Sequence, residues 1–187
     1  MLPAGVRLRE LEPHGDERGA FTELFRNSWE LEVAPVQWNV VRSGANVLRG
    51  VHAHHRHSDY LTIVAGRATI GLHDLRGGSS TEGLGAAVQL DAASPAALVI
   101  PPGVAHGFYF PDSAIHVYAV SHEWDPSDEL GCRWDDPGLG LAWPCRGPLL
   151  SPRDRALGPL SELRDAVRAE LARAGARRSP ASHVARA

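Results

Sequence analysis

From residue 33 to residue 120 the chain is a succession of short apolar runs rich in β-branched residues, and clusters of Gly, Pro, Asp and Ser separate them. The runs are VAPVQWNVV (33–41), YLTIVAG (60–66), RATIGLHDL (67–75), AAVQL (86–90), AALVIP (96–101) and IHVYAV (115–120). Runs of this length and composition form strands, and many of them without intervening helices specify an antiparallel sandwich or barrel. Ala65-Gly66-Arg67 between two runs predicts a hairpin, and residues 74–85 a surface loop. A helix is predicted over 161–175, where Leu163, Val167 and Leu171 recur every fourth residue. Ser161 is placed to cap it and Gly175 to end it. At 187 residues and 43% hydrophobic, the chain is expected to form a single domain over 1–175 with a mobile tail over 176–187.

Composition excludes several kinds of chemistry. A formal charge of −3 gives no field to attract nucleic acid or an anionic membrane. All 19 basic residues are arginine, so no side-chain amine is available for Schiff-base chemistry. Cys132 and Cys145 are too few for a disulfide framework and do not form a Cys-x-x-Cys pair. No apolar run reaches membrane-spanning length, and no basic region followed by an apolar stretch opens the chain. The expected location is the cytoplasm.

Four of the ten histidines fall within six positions, at His52, His54, His55 and His57. His52 and His54 lie two apart in a strand pattern, so both should face one side of the sheet. The spacing His52-x-His54-x4-Asp59-x6-Gly66 is similar to the first motif of metal-binding cupins, with Asp for the usual Glu, and PPGVAH (101–106) is similar to the second. His52, His54, Asp59 and His106 would then suit Fe(II), Mn(II), Ni(II) or Zn(II). His55 and His57 fit an exposed loop.

Longer segments resemble a second pattern. DERGAFTELFR (16–26), VLRGVH (47–52), LVIPPGVAHGF (98–108), AIHVYAV (114–120), DPSDELGCRWDDPGLGLAWP (125–144) and LSPRD (150–154) occur in this order. In content and spacing they resemble the dTDP-4-dehydrorhamnose 3,5-epimerase family. The resemblance implies an all-β, cupin-type jelly roll with a short C-terminal helix, a homodimer, and an isomerase that works without cofactor or metal. Its substrate would be a dTDP-linked 4-keto-6-deoxy sugar. Epimerisation beside a ketone needs a base, an acid on the opposite face and a stabiliser for the enolate. The resemblance gives His52 as base, Asp154 as its orienting carboxylate and Tyr118 as opposite-face acid. It assigns substrate contacts to Arg18, Glu23, Gln37, Asn39, Arg49 and His106. His54, His57 and Trp124 join them as neighbours of the same site.

The sequence also departs from that pattern. The family lysine that can stabilise the enolate oxygen is Asp59 here, its second tyrosine is Trp124, and Ala20 stands at a frequent aromatic. A carboxylate beside a developing oxyanion is repulsive unless it is protonated, holds a metal or pairs with a cationic histidine. One of His54, His55 and His57 is therefore expected to carry positive charge in the lysine's place. RGVHAH also resembles the sugar-nucleotide 3,4-ketoisomerases. A metal-dependent cupin and a 3,4-ketoisomerase are thus the alternative readings.

Overall fold

Alternation with period two sorts each strand's side chains between an interior and an outer face. The pattern is clearest over Gln37–Ser43 in the computed structural model, which describes residues 1–178 and contains twelve strands. They are β1 (Arg7–Glu10), β2 (Pro13–Asp16), β3 (Gly19–Thr22), β4 (Gln37–Ser43), β5 (Val47–Ala53) and β6 (Asp59–Ala65). After them come β7 (Arg67–Asp74), β8 (Gly85–Asp91), β9 (Ala96–Ile100), β10 (Val104–Phe110), β11 (Ala114–Val120) and β12 (Leu130–Gly131). Two helices close the described chain, α1 (Pro152–Arg155) and α2 (Leu160–Arg178). One antiparallel sheet has the order β1-β9-β6-β11-β4 and the other β12-β5-β10-β7-β8, while β2 and β3 form a separate hairpin. The two five-stranded sheets face each other as a jelly roll, as the family resemblance implies, and within the sandwich-or-barrel class that the strand pattern predicts.

Between the sheets, Leu61, Ile63, Ile70, Leu72, Leu98, Ile100 and Phe110 make the inner core. The outward residues are not all solvated. Tyr60, Ala97, Val99 and Ala119 are covered by Leu11 and Leu31 of the N-terminal segment. Val51, Ala53 and Ala105 on the other sheet are covered by Leu160, Leu163 and Val167 of α2. Both sheets therefore bury two faces over much of their area, which is why several runs read as continuously apolar.

Three sequence expectations change. Ala65-Gly66-Arg67 is not a hairpin, because β6 and β7 belong to different sheets and Gly66 is the corner between them. Gly66 has φ +74°, and a Cβ there would lie 2.6 Å from the Ser113 carbonyl oxygen, so the corner needs glycine. The helix starts at Leu160, not after Ser161. Its first N–H donates to Asp136 Oδ2 at 3.0 Å, a cap supplied from elsewhere in the chain. It also runs through Gly175 to Arg178, so the expected tail begins as helix, and its remainder lies outside the described residues. The predicted Leu163, Val167 and Leu171 stripe packs against the second sheet.

The 74–85 segment is a loop pinned by one buried carboxylate. Asp74 accepts from Arg76 Nε and Nη2 at 2.8 Å each, from Ser79 at 2.7 Å and from Thr81 at 2.6 Å. Replacing Asp74 with asparagine forfeits these charge-assisted bonds in a buried place. Thermal unfolding should show a loss of about 1–3 kcal/mol, or a Tm lower by roughly 2–12 °C. Asp74 lies away from the central cavity, so turnover at low temperature should be unchanged. An unaltered Tm would show that the loop does not depend on this carboxylate.

Candidate active site

The interior is polar at one end. A cavity of about 290 Å³ opens there, lined from β5 by Arg49 and His52, from β6 by Asp59 and Leu61, from β10 by His106 and Phe108, and from β11 by His116 and Tyr118. The alternation that sends Val51 and Ala53 outward turns His52 inward. His106 lies opposite His52 in the β5–β10 register, and Tyr118 pairs with Leu61 and Asn39. His52 and Tyr118 thus come from opposite sheets.

α1 brings the C-terminal segment against β5. His52 Nε2 is 2.7 Å from Asp154 Oδ1. The carboxylate, itself 5% exposed, also faces the Gly50 N–H, and its backbone N–H is capped by Ser151. Burial pushes the Asp154 pKa up, but the His52 contact and these donors outweigh it and hold the group ionised. With Nε2–H donating to the carboxylate, His52 Nδ1 keeps its lone pair. Such a pair can take a proton from carbon and stabilise the imidazolium that results. Tyr118 has its pKa raised by burial and by the Asp59 and Glu129 charges, so it stays protonated and can act as a donor.

Around this pair the histidines are packed, not solvated. His54, His55 and His57 are 6%, 8% and 4% exposed, which corrects the exposed-loop expectation for His55 and His57. The cause is Asp128, a buried carboxylate at the end of a short 3-10 turn. It accepts from the His55 N–H at 2.9 Å and from His57 Nδ1 at 3.1 Å, and its backbone carbonyl accepts from His54 Nδ1 at 3.1 Å. Burial disfavours charge on His57, but the Asp128 and Asp59 carboxylates prevail and lift its pKa to about 9. Burial instead drives His106 down to about 4. Asp59 is the first residue of β6 and 6% exposed, against Nε2 of His54, His57 and His106.

The other predicted residues divide. Gln37 and Asn39 are joined by a 3.0 Å bond and line a smaller recess beside His54, His57 and Trp124. Gln37 also accepts from the Trp124 backbone N–H at 2.9 Å, which anchors that half-exposed residue at the cavity rim. Arg49 is held at the wall by Ser43. Within one chain Arg18 and Glu23 lie outside this cavity. The β2–β3 hairpin pairs only with itself, so Arg18 is held by Asp16, and Glu23 beyond it pairs with Arg26. Sequence reasoning missed His116, Asp128, Glu129 and Arg153. His116 was accessible from period two, since it lies two residues before Tyr118 on β11. Its ring stacks on Phe110, and burial lowers its pKa to about 4. Glu129 and Arg153, which pair at 2.9 Å, lie outside any periodic segment.

Residues 3–162 match the family model described as dTDP-4-dehydrorhamnose 3,5-epimerase. The chain belongs to that family. A Neisseria gonorrhoeae dTDP-4-dehydrorhamnose 3,5-epimerase is 37% identical over 159 residues, covering 81% of this chain; the chain spans about half (48%) of that relative's length. A 4-keto-6-deoxy sugar epimerase from the novobiocin cluster of Streptomyces spheroides superposes with TM-score 0.82 at 34% identity, over 89% of this chain and 88% of that one. A 3'-monoepimerase of Streptomyces bikiniensis in complex with dTDP-quinovose gives TM-score 0.82 at 30% identity, over 95% and 98%.

Proposed function

We propose that the chain epimerises a dTDP-4-keto-6-deoxyhexose at C3, at C5 or at both, in deoxysugar biosynthesis. The observation that carries this reading is the 2.7 Å His52–Asp154 pair inside a cavity whose opposite wall presents Tyr118. A sugar ring between the two sheets has the base at one face and the phenol at the other. His52 removes the proton beside the ketone, Asp154 holds the imidazolium, and Tyr118 returns a proton from the opposite side. Arg49 and Arg153 supply fixed cationic forks at the cavity wall, suited to a pyrophosphate. Trp124 is placed for stacking on a base or a sugar.

The same reading includes a homodimer. Trp38 and Val40 of β4, Val64 of β6 and Phe21 of the hairpin are 43–65% exposed, an apolar set suited to a second copy. It also places the protein in the cytoplasm, consistent with two unpaired thiols, Cys132 and Cys145. Among the described residues no helix is long and apolar enough to cross a membrane.

NMR of dTDP-4-keto-6-deoxyglucose with the protein in D2O tests the reaction. Deuterium should enter at C3, at C5 or at both, and a substrate that stays protonated at both carbons would remove the epimerase reading. Movement of the keto group to C3 would select a ketoisomerase. Tyr118→Phe should separate the two half-reactions. Proton abstraction at the first face survives, so label should wash in while inversion falls by roughly 10²-fold or more. Equal loss of exchange and inversion would argue that Tyr118 is not the second-face acid.

A further inference from the structure

Three imidazoles meet one carboxylate at the cavity floor in an arrangement that protein atoms alone leave unresolved. His54 Nδ1 donates to the Asp128 carbonyl, His106 Nδ1 to the Val104 carbonyl at 3.2 Å, and His57 Nδ1 to the Asp128 carboxylate. Each ring is therefore fixed with Nδ1–H outward and Nε2 inward. All three Nε2 atoms face Asp59: His54 at 4.0 Å and His106 at 3.9 Å from Oδ2, and His57 at 3.7 Å from Oδ1. These separations are too long for hydrogen bonds. The His57 Nε2–H can point at Asp59, but in the tautomers fixed above the His54 and His106 Nε2 lone pairs face that buried carboxylate with no proton between them, which is repulsive.

The same separations are close to those of ligands sharing an ion. With metal–ligand bonds of about 2.0–2.2 Å, two donors on a tetrahedral ion lie ~3.4 Å apart. The donor atoms of His54, His57 and Asp59 already lie within 4.8 Å of one another. An Nδ1–H anchored on a carbonyl or carboxylate is also the usual support behind a metal-bound histidine, because it fixes the ring and makes Nε2 the donor.

We propose that His54, His57, Asp59 and His106 form a binding site for a divalent transition-metal ion. His52, a member of the ligand set suggested by sequence spacing, is not among them, since its Nε2 is committed to Asp154. His57 takes its place, although it falls outside that spacing motif. Three imidazoles and a carboxylate suit Zn(II), Fe(II), Mn(II), Ni(II) or Co(II) better than Ca²⁺ or Mg²⁺. The site adjoins the cavity through His54, Asp59 and His106. On the epimerase reading, an ion there supplies the positive charge that the lysine-free sequence lacks for an enolate oxygen.

The test is metal content, read independently of turnover. Protein made without a histidine tag should carry one transition-metal ion per chain by elemental analysis. After removal with a chelator, it should bind Co(II) stoichiometrically with visible ligand-field bands and a raised Tm. Asp59→Asn and His57→Gln should each lose the bands, while His52→Asn should keep them. Far-UV circular dichroism and the Tm of the chelated forms show whether each variant folds, and two variants guard against failure of one. A metal-poor protein without Co(II) bands overturns the site and leaves a His57 imidazolium as the local cation. So does Co(II) binding that survives both substitutions. Stoichiometric metal with no deuterium exchange would leave the site standing and remove the epimerase reading. Exchange at full rate in metal-free, Co(II)-indifferent protein would do the reverse.

Discussion

Replacing His52 with asparagine should slow deuterium exchange into dTDP-4-keto-6-deoxyglucose by ~10²–10⁴-fold, the cost of removing a positioned general base. Of the cavity histidines, His52 alone has its ring set against Asp154, so the remaining three offer no equivalent base. Asparagine is close to imidazole in size and remains polar, and the residue at this point is partly open to the cavity. The fold and nucleotide affinity should therefore persist, which a dTDP titration by calorimetry and a melting curve can check. A variant retaining more than about a tenth of wild-type exchange would show that another group takes the proton.

Asp154→Asn should be nearly as damaging, ~10²–10⁴-fold in kcat, with KM little changed. The change replaces an acceptor with an amide that can donate. The amide N–H then points at His52 Nε2, which must carry the lone pair, and Nδ1–H turns toward the cavity. The base is present but in the wrong tautomer. The imidazolium also loses the buried charge that offsets it. If kcat held while KM rose, Asp154 would be a binding residue and the assignment of roles would fail.

Much of the barrel was legible because its strands obey period two and end at glycine and proline clusters. What failed was pairing. The Ala65-Gly66-Arg67 turn looks like a hairpin locally, and only the crossing of Gly66 beneath Ser113 makes it a corner between sheets. β5 and β10 were visible chiefly as motifs, since His52 and His106 interrupt their apolar patterns. Of the site, the His52, Tyr118 and Asp154 constellation came from the resemblance. Local pattern would have left Asp154 as a turn carboxylate. The exposed-loop expectation for His57 failed because burial there depends on Asp128, 71 residues away in sequence. No local rule sees that distance.

The His52–Asp154 contact spans 102 residues of chain. Both five-stranded sheets, apart from the two-residue β12, are complete in sequence by Val120, whereas Asp154 follows more than thirty residues later. During synthesis the cavity walls can therefore leave the ribosome well before the carboxylate that orients the base. A nascent chain folding from its N-terminus builds the chamber first and receives its proton-handling group last. Order of emergence thus acts as a timer: a chain interrupted between β11 and α1 holds the histidine without its orienting carboxylate.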